Sequence, residues 1–228
     1  MSERPVHELI KELSDNLVLL SNKIMENFLD ALHTVKHQER QSIQLARIIE
    51  DDIEMNEVNL EERCLAFLAT RQPVARDLRA IVTIIKINDD LKHIRALAVH
   101  IIERMPEISS DMLESFEFEN ISMHAAEMVN KSIEAFVSKD SVLALRVSAM
   151  DDAIDSIHRK VFKRVTALMK SPYSDIDQLI AALNISRYIE RMADHAARIA
   201  HEVVFLVTGK IVRHAEWSYE PLIAASHD

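Results

Sequence analysis

The stretch ISRYIERMADHAARIAHE, Ile185 to Glu202, places Glu190 and Asp194 four residues apart, which in a helix is one turn apart on the same face. A weakened copy, DDLKHIRALAVHI, begins at Asp89, with Lys92 and Ala96 standing where the two carboxylates would be. Working outward, Pro73 in ATRQPVARDL and Pro172 in LMKSPYSDID lie 99 residues apart, as do Asp52 and Asp151, while Lys92 and Glu190 lie 98 apart. Agreement within one residue over half the chain reads as an internal duplication. Acidic chemistry is kept in the second copy and lost from the first.

Composition sets the class. One glycine, Gly209, and five prolines in 228 residues leave little means of building glycine-dependent turns, and the abundant Leu, Ile, Ala, Glu, Lys and Met are good or tolerable helix residues. The chain is expected to be all-α. Hydrophobic residues make up 48% and aromatic residues 5%, which is enough for a substantial aliphatic core. The lone Cys64 excludes an internal disulfide and a cysteine-rich zinc site, and its apolar surroundings predict a buried thiol.

The N-terminus, MSERPVHELIKELSDNLV, interrupts its apolar residues with charges, unlike a signal peptide, and no later run reaches membrane-spanning length. The expectation is a soluble cytoplasmic protein. A formal charge of −10 argues against general affinity for nucleic acid or anionic lipid. The basic runs Arg71 to Arg79 and His158 to Arg164 read as solvated helix faces.

Periodicity resolves six long helices. The first covers about 6–36, with Leu9, Leu13, Leu17, Leu20, Ile24, Phe28 and Leu32 at three- and four-residue steps. The second covers about 38–69, and the third follows Pro73, a tolerated helix-starting proline, and runs to Met105. A polar bridge, PEISSDM, Pro106 to Met112, separates the halves. The fourth helix ends near Ser138, the fifth is capped by Asp140 or Ser141, and the sixth starts at Ser174 with Asp177 three residues on. Short connections make neighbours antiparallel, so the expected architecture is a tandem repeat of two antiparallel three-helix bundles, residues 1–108 and 109–228. The second carries a short tail with Trp217 and Tyr219.

If the fifth and sixth helices pack antiparallel with their acidic faces meeting, Asp151, Asp155, Glu190 and Asp194 converge. Such an oxygen set suits magnesium or manganese, or iron where a histidine joins. The same spacing also arises on a merely solvated face, with Arg187, Arg191 and Arg198 as intrahelical partners, so both readings stand at this point. Catalytic sets are missing: no Glu-x-x-His pairs for a ferritin-like centre, no glycine-rich phosphate loop, and no Gly-x-Ser-x-Gly. The chain is not expected to be an enzyme.

The stretch RYIERMADHAARIAHEVVFLVTGKIVRH, Arg187 to His214, resembles the signature of PhoU proteins, whose repeats carry Glu-Arg-Ile-Gly-Asp-His-Ala and end in Val-Thr-Gly-x-x-Val-Arg-His. RQPVARDLRAIVTIIKINDDLKHI, Arg71 to Ile94, is similar to the first-repeat motif Gln-Pro-x-Ala-x-Asp-Leu-Arg. The resemblance implies a non-enzymatic negative regulator of phosphate uptake and of the phosphate starvation response. Its implied partners are a sensor histidine kinase and the ATPase subunit of the phosphate ABC transporter. It also implies a homodimer, without nucleic acid, that meets the membrane only peripherally through those partners. Metal, iron or zinc in some relatives, would fall on Glu190 and Asp194 with Asp151 and Asp155 as matching acids. The rival classes are a metal-dependent phosphohydrolase and a plain helical scaffold.

The departures from the motif bear on the metal. Lys92, Ala96 and Asn56 remove the first-repeat acids, so any metal is expected on the C-terminal bundle alone, with Lys92 as a fixed charge. Arg198 puts a guanidinium one turn from Asp194, and such a cation can stand in for a metal.

Overall fold

The computed structural model describes residues 6–36 and 41–212. Seven α-helices follow one another: α1 (Val6–Lys36), α2 (Gln41–Arg71), α3 (Ala75–Arg104), α4 (Ser110–Ser115), α5 (Phe118–Ser138), α6 (Ser141–Leu168) and α7 (Ile176–Thr208), with a 3₁₀ turn at Met105–Glu107 between α3 and α4. Six are long, as the periodicity predicts, and the described residues contain no strand. Trp217 and Tyr219 lie outside the described residues.

Each repeat is an up-down-up bundle. Helices α1, α2 and α3 pack on one another, α5, α6 and α7 do the same, and α3 and α7 join the two bundles along their length. Contacts pair the start of α3 with the end of α7: Arg79 lies beneath Gly209, Lys86 meets Glu202, Asp90 meets His195, and His100 meets Tyr188. The two central helices are therefore antiparallel. Helix α7 packs against three others, α3, α5 and α6. Ala181, Ala182, Ala193, Ala196, Ala197 and Ala200 are all buried on it, and these small side chains allow α3, α5 and α6 to approach closely.

The core follows the predicted stripe on α1, where Leu13, Leu17, Leu20, Ile24, Phe28 and Leu32 are buried, while Leu9 packs at its edge. Cys64 is buried as expected, and desolvation pushes its thiol up to about 11, which leaves it inert.

The bridge between repeats departs from expectation. Instead of a polar linker running directly into one helix that ends near Ser138, the chain makes the 3₁₀ turn and the six-residue α4, and α5 has only 21 residues. Glu117 adopts a left-handed backbone (φ 55°), which no helix propagates through. The reversal lets Phe116 and Phe118 both bury, with ring centroids 5.4 Å apart. Two helix starts also shift. Asp175 rather than Ser174 caps α7, accepting from the Gln178 amide, while Ser174 Oγ donates to the Leu168 carbonyl at the end of α6. Val74, not Pro73, precedes the first helical residue of α3. Asp140 caps α6 as predicted, accepting from the Val142 and Leu143 amides.

Candidate metal centre

Helices α6 and α7 are tied together at two levels by serine–histidine pairs, Ser148 Oγ to His201 Nε2 and Ser186 Oγ to His158 Nδ1, each at 2.9 Å. Between these levels the acidic faces meet. One carboxylate oxygen from each of Asp151, Asp155 and Asp194 lies within 4.8 Å of the others, the sole such group among the described residues. Glu190, one turn before Asp194, stays outside this trio. It is nonetheless close enough in charge to act on Asp151. Of the four predicted residues, the fold thus brings three within common ligating reach and holds the fourth at the margin.

The electrostatics match this crowding. Burial, followed by the charges of Asp194, Asp155 and Glu190, pushes the Asp151 carboxyl up to about 7. Glu190 and Asp194 are also raised, each chiefly by desolvation and then by a neighbouring carboxylate. Asp151 Oδ1 is buried without a hydrogen-bond partner in the protein, and such an orphan acceptor costs about 1–3 kcal/mol. Three converging carboxylates with a buried orphan oxygen fit a hard cation bound through oxygen.

The nearby histidines are otherwise engaged. His195 Nδ1 lies 2.8 Å from Asp90 Oδ1, both nearly fully buried, and its ring stacks on His93 at 4.9 Å. His158 and His201 face their serines. Burial lowers the His158 imidazole, overcoming the opposing pull of Asp155, so it favours the neutral form beside the acids.

Arg198 corrects one expectation. Its Nε lies 3.2 Å from Asp90 Oδ1, so the guanidinium pairs with α3 and acts on Asp194 only through its charge, whereas Arg159 pairs directly with Asp155 Oδ2 at 3.5 Å. The corresponding region of the first repeat is built from other pairs. Lys23 of α1 reaches Asp52 at 2.9 Å, Asn56 donates to the Asp52 backbone carbonyl at 2.7 Å, and Lys92 lies 3.8 Å from the buried Glu57. The fixed charge expected of Lys92 is there, directed at Glu57. Sequence reasoning missed Asp90 and Glu57. Their signal, single acids on otherwise apolar helix faces, was present but is common on helical surfaces.

The PhoU domain model matches this chain twice, over residues 17–105 and 118–203. Among curated proteins, the phosphate-specific transport system accessory protein PhoU homolog of Pseudomonas aeruginosa is 30% identical over 209 residues, covering 90% of this chain and 86% of its own. PhoU homolog 1 of Thermotoga maritima is 30% identical over 216 residues, covering 91% and 89%. The crystal structure of PhoU from Pseudomonas aeruginosa superposes with a TM-score of 0.80 at 28% identity, over 90% of this chain and all of that one. That of the phosphate transport system regulatory protein PhoU from Streptococcus pneumoniae reaches 0.83 at 22%, over 92% of this chain, and bears on the fold alone.

Proposed function

The chain belongs to the PhoU family, and we propose that it is an accessory regulator of phosphate transport that represses phosphate uptake and the starvation response when phosphate is ample. It works by docking, with the ATPase subunit of the phosphate ABC transporter and a sensor histidine kinase as partners. The observation carrying this reading is the twofold match of the PhoU domain over most of the chain, together with relatives named as phosphate transport accessory proteins. No helix among the described residues is long and apolar enough to cross a membrane, in keeping with a cytoplasmic protein that reaches the membrane through its partners. Exposed Met55, Val58 and Leu65 share one face of α2, which supports a homodimer. The test is alkaline phosphatase expression in a deletion strain grown with ample phosphate. Derepression is expected, and wild-type repression would overturn the reading.

We propose further that Asp151, Asp155 and Asp194 hold a divalent or iron-type cation, with Glu190 assisting from one turn away. A bound cation would neutralise the carboxylates and clamp α6 to α7. Elemental analysis of purified protein separates the roles: Asp194→Ala is expected to lose its metal and Glu190→Ala to keep it with weakened affinity. Equal metal content in wild type and Asp194→Ala would remove the site.

A further inference from the structure

The basic run Arg71 to Arg79, expected on a solvated helix face, instead crosses the turn between α2 and α3. Gln72 and Ala75 take positive φ, 45° and 47°, which is strained for residues other than glycine. Between them Val74 stands 74% exposed at the N-cap of α3, a position that ordinarily carries a polar side chain. Arg79 lies beneath Gly209, so the start of α3 and the end of α7 form one end of the molecule. There Ile211 is 69% exposed although the next residue, Val212, is buried, so the chain holds it outward. Leu78 and Val207, four residues from Val74 and Ile211 respectively, are exposed too. Four aliphatic side chains from two separate stretches thus project at one end, and exposed apolar groups gathered in this way mark contact surfaces.

The charge at this end selects the partner. Arg71, Arg76, Arg79 and Lys210 stand against a single acid, Asp77, in the same two stretches, so a chain with a formal charge of −10 turns a cationic end outward. The α5–α6 turn and the start of α1, which the up-down-up order brings to the same end, do not cancel it: Lys139 offsets Asp140, Lys11 offsets Glu8, and Glu12 meets Arg63 at 2.7 Å. Cations set among exposed aliphatic side chains suit an anionic lipid surface, where the aliphatic tips enter the headgroup boundary while Arg and Lys stay at the phosphates. A protein partner is disfavoured. Interface hot spots rest on aromatic anchors as well as arginine, and the exposed aromatic residues among those described, Phe162 and Tyr173, lie on the α6–α7 hairpin toward the opposite end.

We propose that the end carrying Val74, Leu78, Val207 and Ile211 docks directly on anionic lipid. The inference stands apart from the regulatory reading, since normal repression in the deletion strain would leave vesicle binding untouched. Co-sedimentation of the full chain with phosphatidylcholine vesicles carrying about 30 mole per cent phosphatidylglycerol, against phosphatidylcholine alone, tests it. Binding is expected on the anionic vesicles at physiological ionic strength, about tenfold or more tighter than on neutral ones, and falling as salt rises. Arg76→Gln with Lys210→Gln should weaken it about tenfold, and Val74→Asp with Ile211→Asp should abolish it. The Val74→Asp change supplies the side-chain cap that α3 lacks, so the second double variant should fold, and a thermal melt checks it. Tyr173→Asp, at the opposite end, is expected to bind as wild type does. Absence of binding to anionic vesicles would overturn the proposal and return this end to a protein partner. Equal binding to neutral vesicles, unchanged binding in either double variant, or loss of binding in Tyr173→Asp would overturn it as well.

Discussion

At the residue scale, Asp151 carries the clearest cost. Its carboxyl titrates near 7 instead of at the ordinary 3.8, so between those values the folded chain holds a proton that the unfolded chain releases. The resulting stabilisation is full below the ordinary value and is lost as pH rises through about 7. Asp151→Asn in metal-free protein should therefore raise the thermal midpoint at alkaline pH and leave it little changed in acid. Equal gains at both extremes would mean that crowding of carboxylates is not the cause. Loaded with a cation, the site inverts this logic, since binding favours the ionised acids and releases protons. That residue's role was partly legible. The four-residue spacings of Asp151 with Asp155 and Glu190 with Asp194 were visible, but which three oxygens meet depends on the rotation of α6 against α7.

At the scale of the helices, termini separate what local sequence dictates from what packing imposes. Asp140 caps α6 because its short acceptor reaches the Val142 and Leu143 amides, at 2.8 and 2.9 Å. Gly209 ends α7 with φ at 75°, and a Cβ there would sit 2.3 Å from Arg79 Nη1. Gly209→Ala combines the left-handed backbone penalty of about 1–2 kcal/mol with displacement of that guanidinium, and urea unfolding should record a loss of at least the first amount. A wild-type midpoint would show that the α7 terminus relaxes freely. The break at Glu117 had no comparable signature. A left-handed glutamate is tolerated because it lets Phe116 and Phe118 bury together, and that gain lies in tertiary contacts.

At the scale of the whole molecule, the two repeats are locked through α3 and α7 by more than apolar contact. Asp90, 3% exposed, is shared by His195 and Arg198 from the other repeat. Removing one partner from such a buried carboxylate costs about 3–5 kcal/mol, and retention of Arg198 places His195→Leu at the lower end. Chemical unfolding is expected to show that loss, and Asp90→Asn, which keeps a polar partner without the charge, should lose less. An unchanged midpoint in His195→Leu would mean that the apolar seam alone joins the repeats. Beside the same seam the buried Glu57 faces Lys92 at 3.8 Å and Arg95 at 3.7 Å, and its backbone carbonyl accepts from Asn88.

The chain alone determined its helical class, its duplication and the confinement of clustered acids to one copy, because these depend on periodicity, on glycine content and on residue identity at equivalent positions. The tertiary structure decided where the cations went. Arg198 stands one turn from Asp194 along the chain yet pairs with Asp90 across the seam, since a long side chain on a helix can reach a neighbouring helix as readily as its own next turn. Only the antiparallel setting of α3 against α7 put the more deeply buried anion within its reach, and that choice turns Arg198 toward Asp90, while Asp155 of the trio takes Arg159 of its own helix at 3.5 Å.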